Sequence, residues 1–132
     1  MYPNSSSAFQ FNSLLDIEFL QDLFEGDIEY AATVFGDFLQ DLPGYWEEVE
    51  QAFRQEDRFA LRSAVHKCKT LFGYVGHSQI LEILQAFEAQ CDTVRDFSEL
   101  KKEYFELVKL KIDAEKLIGE ELKRLKEYCQ IN

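Results

Sequence analysis

Residues that interrupt regular structure are scarce in this chain, which has only two prolines and six glycines among its 132 residues. A sheet protein of this size would need turn residues roughly every ten positions. No stretch approaches the run of about eighteen apolar residues that a membrane-spanning helix requires. The first residues contain neither the basic nor the apolar segment of a signal peptide. These absences predict an all-helical, cytoplasmic protein that does not enter a membrane.

Cysteines and known catalytic motifs are also few. Three cysteines are an odd number without paired spacing, so no disulfide framework is predicted. Cys68 and Cys91 fit apolar helix faces and are interpreted as small core residues. His66 and His77 are too isolated from other ligands to predict a metal site. No nucleophile motif or phosphate-binding loop occurs, so we expect no cofactor and no kinase or hydrolase site.

Acidic residues are abundant overall but missing from one segment. The net charge of −11 argues against binding to nucleic acid. Residues 1–57 contain thirteen acidic side chains and one basic one, whereas no acid occurs between Arg58 and Leu81. That interval holds four cations and His66. It predicts a local positive patch that suits a partner with an acidic site, although a chance gap on a solvated face is the alternative.

Apolar residues that are present recur with helical spacing along most of the chain. Residues 1–12 are interpreted as a flexible tail, in which docking of Phe9 and Phe11 on the domain is left open. Pro43 and Gly44 indicate a break between two helices. Predicted caps are Ser13, Asp27, Ser78, and Asp96 paired with Glu99 in a capping box. The six predicted helices are Leu14–Phe24, Ile28–Leu42, Gly44–Gln55, Phe59–Gly76, Gln79–Cys91 and Phe97–Tyr128.

Short connections between these helices favour antiparallel neighbours. The expected fold is all-α: an up-down-up-down four-helix bundle over residues 13–128, with an additional N-terminal helix and an extended C-terminal helix. The last helix would be roughly 48 Å long, more than its predicted neighbours could cover. It would project beyond the bundle, bend near Gly119, or pair with a second subunit, which makes a dimer through this helix a further expectation.

One histidine is on the wrong face of its helix for packing. In Phe59–Gly76 the apolar residues form a stripe, and His66 points nearly opposite to the centre of that stripe. Its neighbours on its own face are two cations, one aromatic residue and three small residues: Phe59, Arg62, Ser63, Lys69, Thr70 and Gly73. The pattern therefore predicts a solvent-exposed imidazole that another protein can reach.

An exposed histidine beside cations suits the transfer of a phosphoryl group. Neutral imidazole is a nucleophile near neutral pH. The resulting phosphoramidate is negatively charged, and a lysine one turn along the helix could offset that charge. Small neighbours would leave room for a donor or acceptor protein.

The segment also resembles the histidine-containing phosphotransfer (HPt) domains of bacterial phosphorelays. Their pattern is a histidine, a lysine three residues on, usually a glycine next, and a second glycine ten residues after the histidine, followed by an apolar residue. This chain has His66, Lys69, Thr70, Gly76 and Ile80 in those positions. The resemblance covers roughly residues 14–92, and the helix after residue 96 exceeds the usual pattern.

The resemblance implies a role for each matching residue. His66 would be the phosphoacceptor, Lys69 would offset phosphoryl charge, and Gly76 would have the structural role of letting the helix end close to its neighbour. Thr70 departs from the family's glycine. The residues expected to contact a receiver domain are Phe59, Arg62, Ser63, Lys67, Thr70 and Gly73.

The leading hypothesis is a phosphorelay intermediate that takes a phosphoryl group from a receiver aspartate or a kinase and passes it to another receiver. Its partners would be receiver domains of response regulators or hybrid histidine kinases. The alternative is a non-catalytic helical module that binds and sequesters a receiver. A third interpretation, a helical scaffold that dimerises through residues 100–128, is compatible with the first.

Overall fold

The computed structural model describes residues 8–131, and that part of the chain contains helices and no strand. A single 3₁₀ turn, Phe97–Leu100, precedes the last helix. The five helices are α1 (Ile17–Phe24), α2 (Ile28–Arg54), α3 (Arg58–Tyr74), α4 (Ser78–Thr93) and α5 (Lys101–Ile131).

Helices α2 to α5 form a bundle in which α2 packs on α3 and α5, and α4 packs on the same two helices. Between α2 and α5, Phe53 stacks on Tyr104 with ring centroids 3.7 Å apart, and Lys111 lies 5.4 Å above the Trp46 ring. Residue numbers rise along α5 as they fall along α2, so the two helices are antiparallel. The predicted all-α class is confirmed, and these contacts agree with an up-down-up-down order.

Helix α2 continues through Pro43, so the predicted break between Ile28–Leu42 and Gly44–Gln55 is wrong. A proline inside a helix removes one hydrogen bond and costs about 3 kcal/mol. Pro43 lies on the exposed face, whereas Leu42 and Trp46 lie on an apolar stripe that continues through this position. Burial of the whole stripe outweighs the local cost. The buried positions of α2 are Ala31, Phe35, Phe38, Leu42, Trp46, Val49 and Ala52.

Because α2 is uninterrupted, it is long enough to pack along most of α5. The predicted capping box of Asp96 and Glu99 is present, and it starts the 3₁₀ turn that leads into α5. Along α5 buried positions recur on one face of the helix as far as Leu125, which has no exposed surface. Helix α5 is therefore packed over most of its length rather than projecting as a free end. A dimer through α5 stays a prediction.

The segment before α1 packs against the N-terminal part of α2 and the C-terminal part of α5. Phe11 is only 6% exposed, and its ring lies 6.1 Å from that of Phe35. The backbone N–H of Asn12 donates to the buried carboxylate of Glu121 at 2.6 Å. Arg124 donates to the same carboxylate. The predicted flexible tail, residues 1–12, is thus too long at its inner end, and residues 1–7 lie outside the described part.

Helix starts differ from the predicted caps at two places. Asp16, rather than Ser13, caps α1 by accepting from the backbone N–H of Phe19, so α1 is shorter than predicted. His77, rather than Ser78, caps α4 through its Nδ1, which accepts from the N–H of Ile80 at 3.3 Å. The predicted cap of α2, Asp27, is confirmed.

The two central cysteines lie in the core, as predicted. Cys68 and Cys91 have no exposed surface. Burial, with a smaller contribution from Glu48, raises the pKa of the Cys68 thiol to about 12. Burial, with a smaller contribution from Asp92, raises the pKa of Cys91 to about 11. Both thiols are therefore protonated packing residues near neutral pH.

Candidate functional site

His66 lies halfway along α3 with its side chain 62% exposed. Asp57 caps the start of α3 by accepting from the backbone N–H of Ala60. The opposite face of the helix is buried and fixes its rotation: Leu61, Ala64, Val65, Cys68, Leu71 and Phe72. Because that face is held in the bundle, the imidazole is held outward in solvent.

A carboxylate from α4 binds the His66 ring on one side. The Nδ1 atom of His66 lies 3.0 and 3.1 Å from the two carboxylate oxygens of Glu88. A carboxylate accepts hydrogen bonds, so this contact favours the tautomer with the proton on Nδ1. The lone pair is then on Nε2, which forms no hydrogen bond with any residue of the described chain. The geometry thus leaves the solvent-facing nitrogen free to act as a nucleophile.

Lys69 contacts the same carboxylate. Its ammonium Nζ lies 3.2 and 3.4 Å from the Glu88 oxygens, and its side chain is 23% exposed. One carboxylate thereby connects the imidazole and the ammonium, which are one turn apart on α3. The three groups form a His66–Glu88–Lys69 cluster at the interface of two helices.

Glu88 is ionised within this cluster. Partial burial tends to raise the pKa of Glu88, but hydrogen bonds from His66 and Lys69 outweigh it and hold the pKa below the ordinary value of 4.5. A negative carboxylate is therefore present near neutral pH. It can stabilise positive charge that develops on the imidazole when Nε2 forms a bond.

Three of the four cations in the predicted positive patch pair with acids from neighbouring helices. Arg62 pairs with Asp92 of α4 at 3.4 Å, and Lys67 pairs with Glu48 of α2 at 3.2 Å. Arg58 donates to a backbone carbonyl at the end of α4. The acids missing from α3 are supplied by its two neighbours. Isolated ion pairs this exposed are worth only about 0–1 kcal/mol, so a docking protein can replace either acid at little cost.

Other residues expected at the receiver surface lie on the same exposed side of α3. Phe59 is 74% exposed, and Ser63 and Thr70 are exposed. The Thr70 hydroxyl donates to the carbonyl of His66 at 3.3 Å, which turns it toward the helix backbone. Gly73 is half-buried, and an added Cβ there would touch nothing within 4 Å. Its small size is therefore not required by packing against residues 8–131.

Gly76 lies at the junction of α3 with α1. Its φ of +67° is in the left-handed region, and an added Cβ would lie 3.1 Å from Cγ of Leu20. The Gly76 carbonyl accepts from the N–H of Asp16 at 2.8 Å. The residue combines an unusual backbone conformation with a close helix contact, which is the situation that favours glycine.

Glu88 is the site residue that the sequence interpretation missed. A signal for it exists, because α3 and α4 form an antiparallel hairpin whose turn includes His77. His66 lies eleven residues before His77 and Glu88 eleven residues after it, so the hairpin brings them side by side. The Arg62–Asp92 pair obeys the same symmetry, fifteen residues on either side. Counting outward from the turn would have identified both pairs.

A comparison with protein-family models matches the Hpt domain over residues 33–128. This chain belongs to the Hpt domain family. Hpt domains are phosphocarrier modules with a histidine phosphotransfer role in phosphorelays, they typically interact with receiver domains, and they have no kinase or hydrolase site of their own. Searches among curated proteins and among solved structures found no match.

The matched range includes α3, α4 and nearly all of α5, but it begins inside α2. The N-terminal segment and α1 therefore lie outside the Hpt match. None of the helices in residues 8–131 combines the length with the apolar character that a membrane span requires. That part of the chain also has no group of three or more His, Cys, Asp or Glu side chains placed to hold a metal ion.

Proposed function

We propose that this chain acts in the cytoplasm as a phosphorelay intermediate, with His66 as the residue that carries the phosphoryl group. The observation that supports this most directly is the His66 ring, which is held by Glu88 at Nδ1 while its side chain is 62% exposed. The donor would be a receiver-domain aspartyl phosphate or a kinase. The acceptor would be the aspartate of another receiver.

In the proposed step, Nε2 of His66 attacks the phosphorus of an aspartyl phosphate. The N–P bond forms as the P–O bond to the aspartate breaks, and the aspartate leaves as a carboxylate. Positive charge develops on the imidazole ring while Nδ1–H remains bonded to Glu88. Return of the phosphoryl group to another aspartate reverses these bond changes, so an open and exposed nitrogen serves both directions.

Lys69 is proposed to offset phosphoryl charge. Its ammonium group is already near the ring through their shared partner, Glu88. When the phosphoryl group adds negative charge, the ammonium can exchange part of its contact with Glu88 for a phosphoryl oxygen. Lys69→Ala should therefore slow transfer by about tenfold, equivalent to about 1.4 kcal/mol, without unfolding the bundle.

The receiver is proposed to dock on the exposed side of α3 around the imidazole. A shallow depression of about 300 Å³ beside the ring is lined by Arg62, Ser63, His66 and Glu88. The acidic phosphorylation site of a receiver would compete with Asp92 and Glu48 for the cations on α3. Phe59 would contribute an exposed aromatic contact two turns before the histidine.

Labelled phosphoryl transfer tests the proposal. Receiver domains encoded in the same genome are phosphorylated and incubated with the chain, and we expect acid-labile label on the wild type but not on His66→Gln. His77→Asn is the control because it removes the other histidine, and it should retain label. Stable label on His66→Gln would refute the assignment.

The same experiment separates this function from receiver sequestration. The exposed side chain of Thr70, where related domains usually have glycine, is the observation that favours the sequestering module. Such a module would bind the phosphorylated receiver without acquiring label. Thr70→Gly should then increase transfer if the threonine restricts how closely a receiver approaches His66.

A further inference from the structure

A second groove lies between α2 and α3, next to the exposed side of α3 that carries His66. Its volume is about 290 Å³. Its floor is apolar, since Phe38 and Leu71 are buried, while two tyrosine rings and two carboxylates stand at its exposed edges. The lining residues are Tyr30, Val34, Asp37, Phe38, Asp41, Leu71 and Tyr74.

The polar groups of this groove have no partner within residues 8–131. Asp37 and Asp41 form no ion pair or hydrogen bond there, in contrast to Glu48, Glu88 and Asp92, which each bind a cation of α3. Two exposed carboxylates without a counter-charge attract cations more strongly than carboxylates that are already paired. The groove is thus a place where negative charge is concentrated and available.

Its aromatic edges add a second attraction of the same kind. Tyr30 is 50% exposed and Tyr74 is 54% exposed. The Tyr30 ring is positioned by an edge contact with Phe24, at a centroid distance of 5.4 Å. The face of a tyrosine ring attracts ammonium and guanidinium groups by about 0.5–2 kcal/mol, depending on how dry the contact is. Rings and carboxylates therefore favour the same chemical class of ligand.

The groove is close enough to His66 for one protein to cover both. Tyr74 follows His66 by eight residues, which corresponds to about 12 Å along the axis of α3 and about 80° around it. A protein–protein interface of ordinary size buries about 800 Å² on each partner and extends well beyond that distance. A receiver seated on the imidazole would thus reach the groove with its surrounding surface.

We propose that this groove is a docking pocket for a basic side chain, arginine or lysine, on the receiver that exchanges phosphate with His66. The proposal rests on the proposed function and adds to it a site that selects among receivers. A receiver with a basic residue at the matching position gains contacts with both carboxylates and both rings. One with an acidic residue there meets like charge, which lowers its association rate.

The double substitution Asp37→Asn with Asp41→Asn tests the pocket while keeping side-chain size. Its matched control is Glu106→Gln with Glu120→Gln, which removes the same charge from exposed positions of α5, a helix that packs mainly on α2 and α4. Transfer from the most active phosphorylated receiver is measured over a range of receiver concentrations. We expect the pocket variant to need about tenfold more receiver for half-maximal rate, with the maximal rate unchanged.

The possible results distinguish failure of the pocket from failure of the proposed function. Labelling of both variants by phosphoramidate, a small-molecule phosphodonor, should equal that of the wild type and thereby show that His66 is intact. Equal receiver dependence of the pocket variant, its control and the wild type would overturn the pocket while leaving the proposed function in place. A lower maximal rate with unchanged half-saturation would also overturn it. Absence of receiver-derived label on the wild type would refute the proposed function and, with it, the pocket.

Discussion

At the scale of single residues, the site depends on one carboxylate that two helices share. Without Glu88, nothing among the described residues would bind Nδ1 of His66, because its hydrogen bonds there are both to Glu88. The ring would then be free to rotate and to place its proton on either nitrogen. In the proposed reaction Glu88 is therefore a positioning residue, since it would act through His66.

We predict that Glu88→Ala slows phosphotransfer by about tenfold, corresponding to about 1.4 kcal/mol. Glu88→Gln should retain more of the rate, because its amide oxygen still accepts a hydrogen bond from Nδ1–H but lacks the negative charge. Nitrogen NMR of the His66 ring provides a separate readout. Glu88→Ala should increase the share of the Nε2–H tautomer, and an unchanged tautomer ratio together with an unchanged rate would contradict the positioning role.

The second histidine has a purely structural environment. His77 is 7% exposed, accepts a hydrogen bond at Nδ1 from the N–H of Ile80, and meets the ring of Phe72 edge-on. Burial lowers the pKa of His77 below its ordinary value of 6.5. The native state thus binds a proton less readily than the unfolded state.

This difference predicts a pH dependence of stability. Below about pH 6.5 the unfolded chain takes up a proton at His77 while the folded chain does not, so the free energy of unfolding falls as the pH decreases. His77→Asn keeps a capping oxygen and removes the titrating group. Urea unfolding from pH 8 to pH 5 should show a smaller decrease for the variant than for the wild type. Parallel curves would show that His77 is not responsible.

At the scale of helices, Gly76 lies where α3 meets α1, and two separate effects favour glycine at this position. One is the left-handed backbone conformation, and the other is the close approach of Leu20. Gly26 has a similar φ of +83°, but an added Cβ there would meet nothing within 4 Å. The two glycines therefore allow conformational strain to be measured apart from the packing conflict.

We predict that Gly26→Ala destabilises the chain by about 1 kcal/mol, from the left-handed conformation alone. Gly76→Ala should cost about 1–3 kcal/mol more, because the new methyl group must displace Leu20 from its buried position. Equilibrium urea unfolding of both variants gives the difference. Equal losses would mean that the contact with Leu20 adjusts without cost and that only the backbone conformation matters.

Local patterns predicted individual helices better than their junctions. The apolar periodicity of α3 and α4 correctly predicted which face of each helix is buried, because each helix buries one continuous stripe. Pro43 gave a strong local signal for a break, yet the stripe containing Leu42 and Trp46 continues across it. Burial of that stripe depends on α3 and α5, which a local pattern does not include.

In the candidate site, too, features within one helix were predicted and features that depend on several helices were not. The exposure of His66 follows from periodicity within one helix and was predicted. Glu88 and the acids that pair with Arg62 and Lys67 come from other helices, so they depend on how α2, α3 and α4 align. The gap in acidic residues along α3 is therefore real, but most of the positive charge inferred from it is paired with acids from neighbouring helices.

At the scale of the whole molecule, the packed N-terminal segment and the proposed phosphotransfer site lie on different parts of the surface. The N-terminal segment closes the bundle over α1, α2 and the end of α5, with Phe11 against Phe24 and Phe35. None of these residues contacts His66. On the exposed side of α3 that carries His66, Phe59 is 74% exposed and makes no ring contact with the described residues. Two phenylalanines that the sequence does not distinguish thus have opposite environments.

Alanine substitution of these two residues tests that separation. Phe11→Ala should lower the free energy of unfolding by about 3–5 kcal/mol, because it leaves a cavity among aromatic rings. Phe59→Ala should change it by less than about 0.5 kcal/mol but should weaken receiver-dependent transfer. Folded Phe11→Ala, examined well below its unfolding midpoint, should transfer phosphate at the wild-type rate. Equal stability losses would place residues 8–12 outside the core, and a transfer defect confined to Phe11→Ala would mean that the N-terminal segment contributes to receiver docking.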